Sequence, residues 1–330
     1  MAQIVLGIAT PHAPQVKLPV EGWRALRQKD ETDRRIDFAA LTRKVKSNIE
    51  DELTTELMQQ RYDAIQKHLD VLVDRLAQAK PDVLVVIGDD QHEQFLENNM
   101  PMFSVYYGDT LELVTKRSDA SRAHSRTWNA PELDKIEEAI AAANPIDPIH
   151  PAQPALAHHL IDSFRDDDFD VACSNKLNPD VGLGHAFSFV YERMLPNGDI
   201  PMVPVMVNTF FPPNQPTPRR CYALGQALRR AIESWDDDVR VAVIASGGLS
   251  HTIIDEGIDR ATIDAIYEKD AEALRTLPRE RLNLGTSEIR NWISAAGAFE
   301  PMEVTFVGDY MPCYRSPAGT GCGMAFAYWE

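Results

Sequence analysis

The side chains best suited to chemistry in this sequence are histidines set among turn-forming residues. Of nine histidines, His12, His92, His185 and His251 stand just past apolar runs or inside glycine-rich stretches. His12 lies between two prolines in ATPHAP, His92 in GDDQHEQF, His185 in NPDVGLGHAFSF, and His251 at the end of SGGLSH. Imidazole titrates near neutrality and binds iron and zinc, so several together would suit a metal centre or an acid/base pair. Taken singly, each is better read as a hydrogen-bonded loop residue, and it is their company that favours a site. Asp89, Asp90 and Glu93 flank His92, and Glu288 stands at a helix start in LGTSEIRNW, with Thr286 or Ser287 as caps. Glu288 would be well placed against the helix dipole for structural reasons alone. Gly247 and Gly248 permit a tight turn, but SGGLSH lacks the lysine and spacing of a phosphate loop. Read from the residues, this is a two-histidine, one-carboxylate metal site with further histidines nearby.

For these groups to meet, several strand ends must share one edge, and the apolar pattern supplies the strands. From Tyr62, the residues Ile65, Leu69, Leu72, Val73 and Leu76 recur at spacings of three and four, predicting an amphipathic helix ended by Pro81. DVLVVIGDD follows as a continuous apolar run closing on acids, the pattern of a buried parallel strand emptying into a loop. The helix–strand–loop unit recurs at HHLIDSFRDDDFDVACSNKL. It recurs again where Leu224, Leu228, Ala231 and Ile232 precede a strand over 239–245. A strand over 3–8 opens the chain, and IPMVPVMVNTFFPPNQPTP is a strand with a proline-rich exit. The expected fold class is α/β, a layered sheet with helices on both faces and the active site at the strand C-terminal ends. The charged, irregular segment 15–60 reads as a lid or surface excursion, 110–155 as a surface wrap, and 257–300 as mainly helical. No boundary is forced, so 1–330 reads as a single catalytic domain.

The balance of 33 Lys+Arg against 50 Asp+Glu gives −17, which argues against nucleic acid as a partner and requires local arginines if the ligand is an acid. Cys173, Cys221, Cys313 and Cys322 form no CxxC pair, so reduced thiols are expected rather than a zinc site or disulfides. No basic-then-apolar leader and no apolar run of about 18 residues is seen. The expectation is a soluble, cytoplasmic protein with no membrane partner.

Taken in order, PHAP, PDVLVVIGDDQHEQF, the block from PTPRRCYALG to SGGLSH, GTSEIRNW and AGTGCGMAF resemble the class III extradiol ring-cleavage dioxygenases. This superfamily contains the catalytic subunit of protocatechuate 4,5-dioxygenase. The likeness spans nearly the whole chain and is most specific in the helix–strand block ending at His251. GHAFSFVYERM and GTSEIRNWI look most like single-chain members acting on 3-O-methylgallate. The resemblance implies a mononuclear non-haem Fe(II) centre with His12 as first ligand, His92 as second and Glu288 as third. Better-known relatives carry Asp-His with an aromatic four residues later. Here Gln91 stands four residues before Phe95 and His92 three, so a one-residue bulge is needed to bring His92 in.

The same resemblance implies His251 as the active-site base and His185 as a second acid/base or substrate-contacting histidine. Two imidazoles and one carboxylate would hold Fe(II) with positions open for a catechol and O2, and a base of near-neutral pKa would take a catechol proton. Arg315, Ser316 and Thr320 are the expected binders of a substrate carboxylate, the arginine bidentately. The alternative is a structural turn whose arginine pairs with an acidic side chain. The implied activity is opening of a carboxylated catechol such as 3-O-methylgallate, gallate or protocatechuate, in catabolism of lignin-derived aromatic compounds, with a homodimer as the default assembly. A metal-dependent hydrolase using zinc-bound water, or a non-catalytic binding member of the superfamily, are the alternatives. The joint presence of His12, Glu288 and His251 favours an enzyme over the last.

Overall fold

The apolar runs assemble into one eight-stranded sheet in the computed structural model, which describes residues 1–113, 131–143, 147–195 and 200–330. In spatial order the strands are β10 (Val304–Phe306), β13 (Ala327–Trp329), β1 (Gln3–Thr10), β8 (Arg240–Ser246), β2 (Val83–Asp89), β7 (Met202–Val207), β3 (Phe103–Tyr106) and β6 (Ala172–Ser174). β1, β8, β2 and β7 are mutually parallel, while β13 and β3 run antiparallel to β1 and β7. Four carboxyl ends therefore share one edge. There Thr10 pairs with Ser246, and Asp89 with Val207. β1 runs on past the expected 3–8 and stops at Thr10, because Pro11 has no N–H to continue the ladder.

The continuous apolar reading of β2 follows from burial on both faces. Val83, Val85 and Ile87 enter a core with Leu224, Leu228, Ile232, Trp292 and Ile293, from the helices Pro218–Ser234 and Ile289–Ala298. Leu84 and Val86 enter a second core with Trp23, Leu26, Ile65, Leu69 and Leu72, from the helices Val20–Thr32 and Thr55–Ala79. Each fully buried aliphatic side chain contributes roughly 1.5–3 kcal/mol, so either core alone would leave half of every central strand wet. The long helix starts ahead of Tyr62 because Thr54 caps it, its side chain accepting from the Leu57 N–H, and it ends with Lys80 in the left-handed region.

The segment 15–60 is more ordered than its charge suggested. Val20, Trp23, Leu26 and Asp30 form the buried stripe of a helix, and Phe38–Lys44 adds another. Of 110–155, residues 114–130 and 144–146 lie outside the described residues. The rest holds β4 (Thr110–Glu112) paired antiparallel with β5 (Ile149–Pro151), and the helix Pro131–Ala143. Helices Glu256–Tyr267, Ala271–Arg275 and Ile289–Ala298 make 257–300 mainly helical, as the sequence predicts. The tail folds back as β11 (Met311–Tyr314) and β12 (Thr320–Met324), which join β9 (His251–Ile253) in a separate three-stranded sheet. All four cysteines are free. No helix among the described residues is long and apolar enough to cross a membrane.

Asp259 pins the tail and the loop after β8 together. It is buried and accepts hydrogen bonds from the Ser250 N–H at 2.7 Å, the Ser250 hydroxyl at 2.6 Å and the Tyr310 hydroxyl at 2.6 Å. Burial pushes its carboxyl from 3.8 up to about 6, against the pull of those donors. The folded state thus holds this proton more tightly than the unfolded chain does. The contribution is fully present below about pH 4 and is lost as pH rises through about 6. Between about pH 4 and pH 7, Asp259→Asn is expected to gain on the parent by up to about 3 kcal/mol in urea denaturation. A stability difference that stays constant with pH would show that Asp259 ionises normally in the fold.

Candidate metal centre

The shared carboxyl edge carries the site. After β1, Pro11 ends the ladder and Pro14 starts a short helical turn, so His12 is held between two residues of fixed φ. Its Nδ1 lies 3.0 Å from the Ser246 hydroxyl, which itself donates to the Ala186 carbonyl at 2.6 Å. The single hydroxyl proton is thereby used, so Nδ1 must carry the hydrogen and the Nε2 lone pair faces inward. There it meets Asp89, the last residue of β2, at 3.7 Å and Glu288 at 3.4 Å. Glu288 ends a 3-10 turn, Leu284–Glu288, at the N-cap of the helix Ile289–Ala298.

His185 begins the helix His185–Phe189 and brings its Nε2 to 3.7 Å from Asp89. One donor atom from each of His12, Asp89, His185 and Glu288 lies within 4.8 Å of all the others. His251, the first residue of β9, stands at the margin of the cluster. Its Nδ1 donates to the Leu249 carbonyl at 2.9 Å and its Nε2 lies 2.9 Å from Glu288 Oε1. Gly285 makes room for it, since a Cβ there would fall 2.2 Å from the His251 ring.

The electrostatics of the cluster are those of a cation site. Burial alone would raise the Glu288 pKa, but His251 and His12 beside it hold it well below the usual carboxylate range. At Asp89 burial, followed by repulsion from Glu288, outweighs the pull of His185, His12 and the Gln91 amide and pushes its pKa up. Burial would lower the His185 pKa, yet the charges of Glu93 and Asp89 raise it to about 9. His12 Nε2 and Asp89 Oδ1 are buried, 3.7 Å apart, and make no hydrogen bond within the described structure. Two orphaned polar atoms aimed at one point fit a divalent ion. A donor set of imidazole nitrogens and carboxylate oxygens without thiolate suits iron, manganese or zinc.

Three of the eight expected site residues, His12, His185 and Glu288, lie in the cluster, and His251 lies against it. The remainder require correction. His92 is outside the cluster, at φ +60°, with its ring stacked on Phe211 at 3.6 Å and its Nε2 3.7 Å from Glu97. In place of the expected bulge, a left-handed backbone at His92 turns its ring away from the cluster. The expected carboxylate binders Arg315, Ser316 and Thr320 form a closed buried network instead. Arg315 gives both forks to Asp30, at 2.7 and 2.8 Å, Thr320 donates to the same carboxylate, and Ser316 bonds Thr320. The structural alternative for this arginine is the one observed.

Asp89 stands in the sequence as one of several acids around His92 that could complete a metal site, and the fold places it in the cluster beside Glu288. Gln91 has no role in the sequence pattern, yet its amide donates to Asp89 at 2.9 Å and to Glu288 at 3.3 Å. The signal for both was their place at the mouth of a buried parallel strand.

Residues 52–319 match the model of a family described as the catalytic LigB subunit of aromatic ring-opening dioxygenase. The chain is 41% identical over 102 residues to the gallate dioxygenase of Pseudomonas putida, covering 30% of this chain and 28% of that protein. Two proteins named 2,3-dihydroxyphenylpropionate/2,3-dihydroxicinnamic acid 1,2-dioxygenase are also similar. The one from Comamonas testosteroni is 24% identical over 171 residues, 52% of this chain and 43% of that protein. The one from Mycobacterium sp. (strain MCS) is 28% identical over 189 residues, 57% of this chain and 50% of that protein. The matched regions span half or less of the length of these relatives.

Two expected outcomes follow from the placement of the side chains. His92→Ala should take up Co(II) as the parent does in a visible-absorption titration, while His12→Ala should lose it. Loss of uptake in the His92 variant would restore His92 as a ligand. Asp30→Ala leaves Arg315 buried without its carboxylate and should cost about 3–5 kcal/mol in urea denaturation. A cost near zero would mean that the Arg315 charge is satisfied elsewhere.

Proposed function

This chain belongs to the family of the catalytic LigB subunit of aromatic ring-opening dioxygenase, and from that premise we propose that it is a non-haem Fe(II)-dependent extradiol dioxygenase. The substrate class is a carboxylated catechol, such as gallate, 3-O-methylgallate or protocatechuate, and 1–330 works as one catalytic unit. The observation that carries this reading is the meeting of buried His12, Asp89 and Glu288 with half-buried His185 within 4.8 Å, with His251 on Glu288.

His12, His185 and Glu288 would hold the iron as two imidazoles and one carboxylate, with Asp89 beside them restrained by the Gln91 amide. When bound, Fe(II) would supply open coordination positions for substrate and O2 and the redox access that oxygen activation needs. The protein's own part is positioning and proton handling. His12 and Glu288 are almost wholly buried, whereas the side chains of His185 and His251 are 29% and 15% exposed. A substrate therefore approaches on the side of those two histidines. His251 donates from Nδ1 to the Leu249 carbonyl and from Nε2 to the ionised Glu288 at 2.9 Å, and Nε2 becomes free to receive a catechol proton once Glu288 is engaged in holding a metal. Burial lowers its pKa but Glu288 raises it more. With Glu288 serving as a metal ligand, His251 would feel less of that pull and work as a base closer to neutrality.

The same donors would also hold zinc for hydrolysis, and family membership favours ring opening over that alternative. The test is to load the protein with Fe(II) under anaerobic conditions, add gallate, 3-O-methylgallate, protocatechuate and uncarboxylated catechols, and admit air. Oxygen uptake with a product containing both oxygen atoms and an opened ring is expected. Bound iron without turnover of any catechol would sink the proposal. His251→Ala should keep its iron and lose about 10²–10⁴-fold in kcat.

A further inference from the structure

The loop after β2 sets each of its polar side chains against a different neighbour. Asp89 faces the cluster and Gln91 bridges the two carboxylates. Asp90 accepts from the Gln94 and Phe95 N–H groups at 2.7 and 3.2 Å, which closes the turn. Gln94 donates to the Gly182 carbonyl at 2.7 Å and accepts from the Asn178 N–H at 2.8 Å, and Asn178 donates back to the Glu93 carbonyl at 3.1 Å. Two loops far apart in sequence are thus joined, and the joint leaves Glu93 pointing inward, 5% exposed.

Glu93 meets His185 with both oxygens. Oε1 accepts the His185 backbone N–H at 2.9 Å, and Oε2 lies 2.9 Å from His185 Nδ1. We infer that Glu93 is a positioning residue of the metal centre, holding the His185 imidazole in the Nδ1–H form with Nε2 turned toward Asp89 and His12. The inference rests on the proposal that the cluster binds a metal. An ionised carboxylate only accepts, so its partner nitrogen must carry a proton, and in the neutral imidazole that a metal requires the other is left with the lone pair. That other nitrogen lies 3.7 Å from Asp89, and the ring stands edge-on to His12 with centroids 4.6 Å apart. A carboxylate behind a ligating imidazole fixes the ring orientation and raises its basicity.

Two further features serve this grip. Gly184 has no Cβ where one would fall 2.7 Å from Glu93 Oε2. The left-handed backbone at His92 turns that ring out against Phe211 and lets the next residue turn in. The loop gives up its own histidine as a ligand and uses the neighbouring carboxylate to aim a histidine from another loop.

Glu93→Gln separates this role from simple packing. The amide has one acceptor and one donor to set against two N–H donors. Its best compromise accepts the backbone N–H and donates to Nδ1, which moves the imidazole proton to Nε2 and removes the lone pair from the cluster. Co(II) affinity is measured by visible absorption and chelator competition on the full chain for the parent, Glu93→Gln, His185→Ala and the double variant. Glu93→Gln is expected to weaken Co(II) binding about 10–100-fold. In the His185→Ala background it should weaken binding no further. Unchanged affinity in the single variant, or an equal loss without His185, would overturn the inference while the metal centre stands. A parent that binds no Co(II) overturns the metal reading and this inference with it, and is seen before any variant is made. Should Glu93→Gln fail to fold by circular dichroism, Gly184→Ala displaces the same carboxylate by its Cβ and is expected to weaken Co(II) binding in the same direction. Parent-like Co(II) binding in folded Gly184→Ala would then overturn the inference.

Discussion

Two carboxylates buried side by side are the constraint around which the rest of this structure is arranged. Asp89 and Glu288 are both withdrawn from bulk solvent, and their pKa values are driven apart, Glu288 down by its histidines and Asp89 up by burial and Glu288. Charges in such a place persist only with partners of opposite sign or with good donors. The fold supplies several, in the Gly248 N–H on Glu288, the Gln91 amide on both and three imidazoles. A divalent cation would complete the compensation.

Holding these groups in place falls to the helix that begins after Glu288. Trp292 donates to the Gly247 carbonyl at 2.7 Å and Asn291 to the Ser246 carbonyl at 3.0 Å, which ties the helix to the end of β8. Arg290, buried with no carboxylate partner among the described residues, donates to the carbonyls of Thr209, Pro216, Leu282 and Ser287. The first two belong to the exit of β7. One helical turn thus locks two strand exits to Glu288, while Ser246 holds His12 from a third. Rigid elements with little freedom of their own are what a site of fixed geometry needs.

The outer layer applies the same economy to charge. In a chain of net charge −17, Arg315 is spent on Asp30 rather than left for a ligand. That pairing anchors the helix Val20–Thr32 to the tail. The proposed substrate carboxylate must then be recognised by other groups, and the exposed flank of His185 and His251 is the face from which to look for them.

The sequence by itself determined the elements and the stiff turns. Continuous apolar runs announced strands buried on both faces, the three-and-four spacing announced the long helix, and the two prolines around His12 marked a residue that the chain holds still. Glu288 and His251 could be singled out because each stands at the junction of two elements, but their roles came only with the family resemblance. The choice among His92, Glu93 and Asp89 was made only in the folded molecule. These neighbours differ in which side of one loop they occupy, and that depends on Phe211 stacking on His92 and on the loop of His185 receiving Glu93, both distant in sequence. Arg315 likewise meets Asp30 across 285 positions. Local pattern encodes burial period and backbone stiffness. Which of several adjacent polar side chains turns inward is decided by partners that only the tertiary structure brings near.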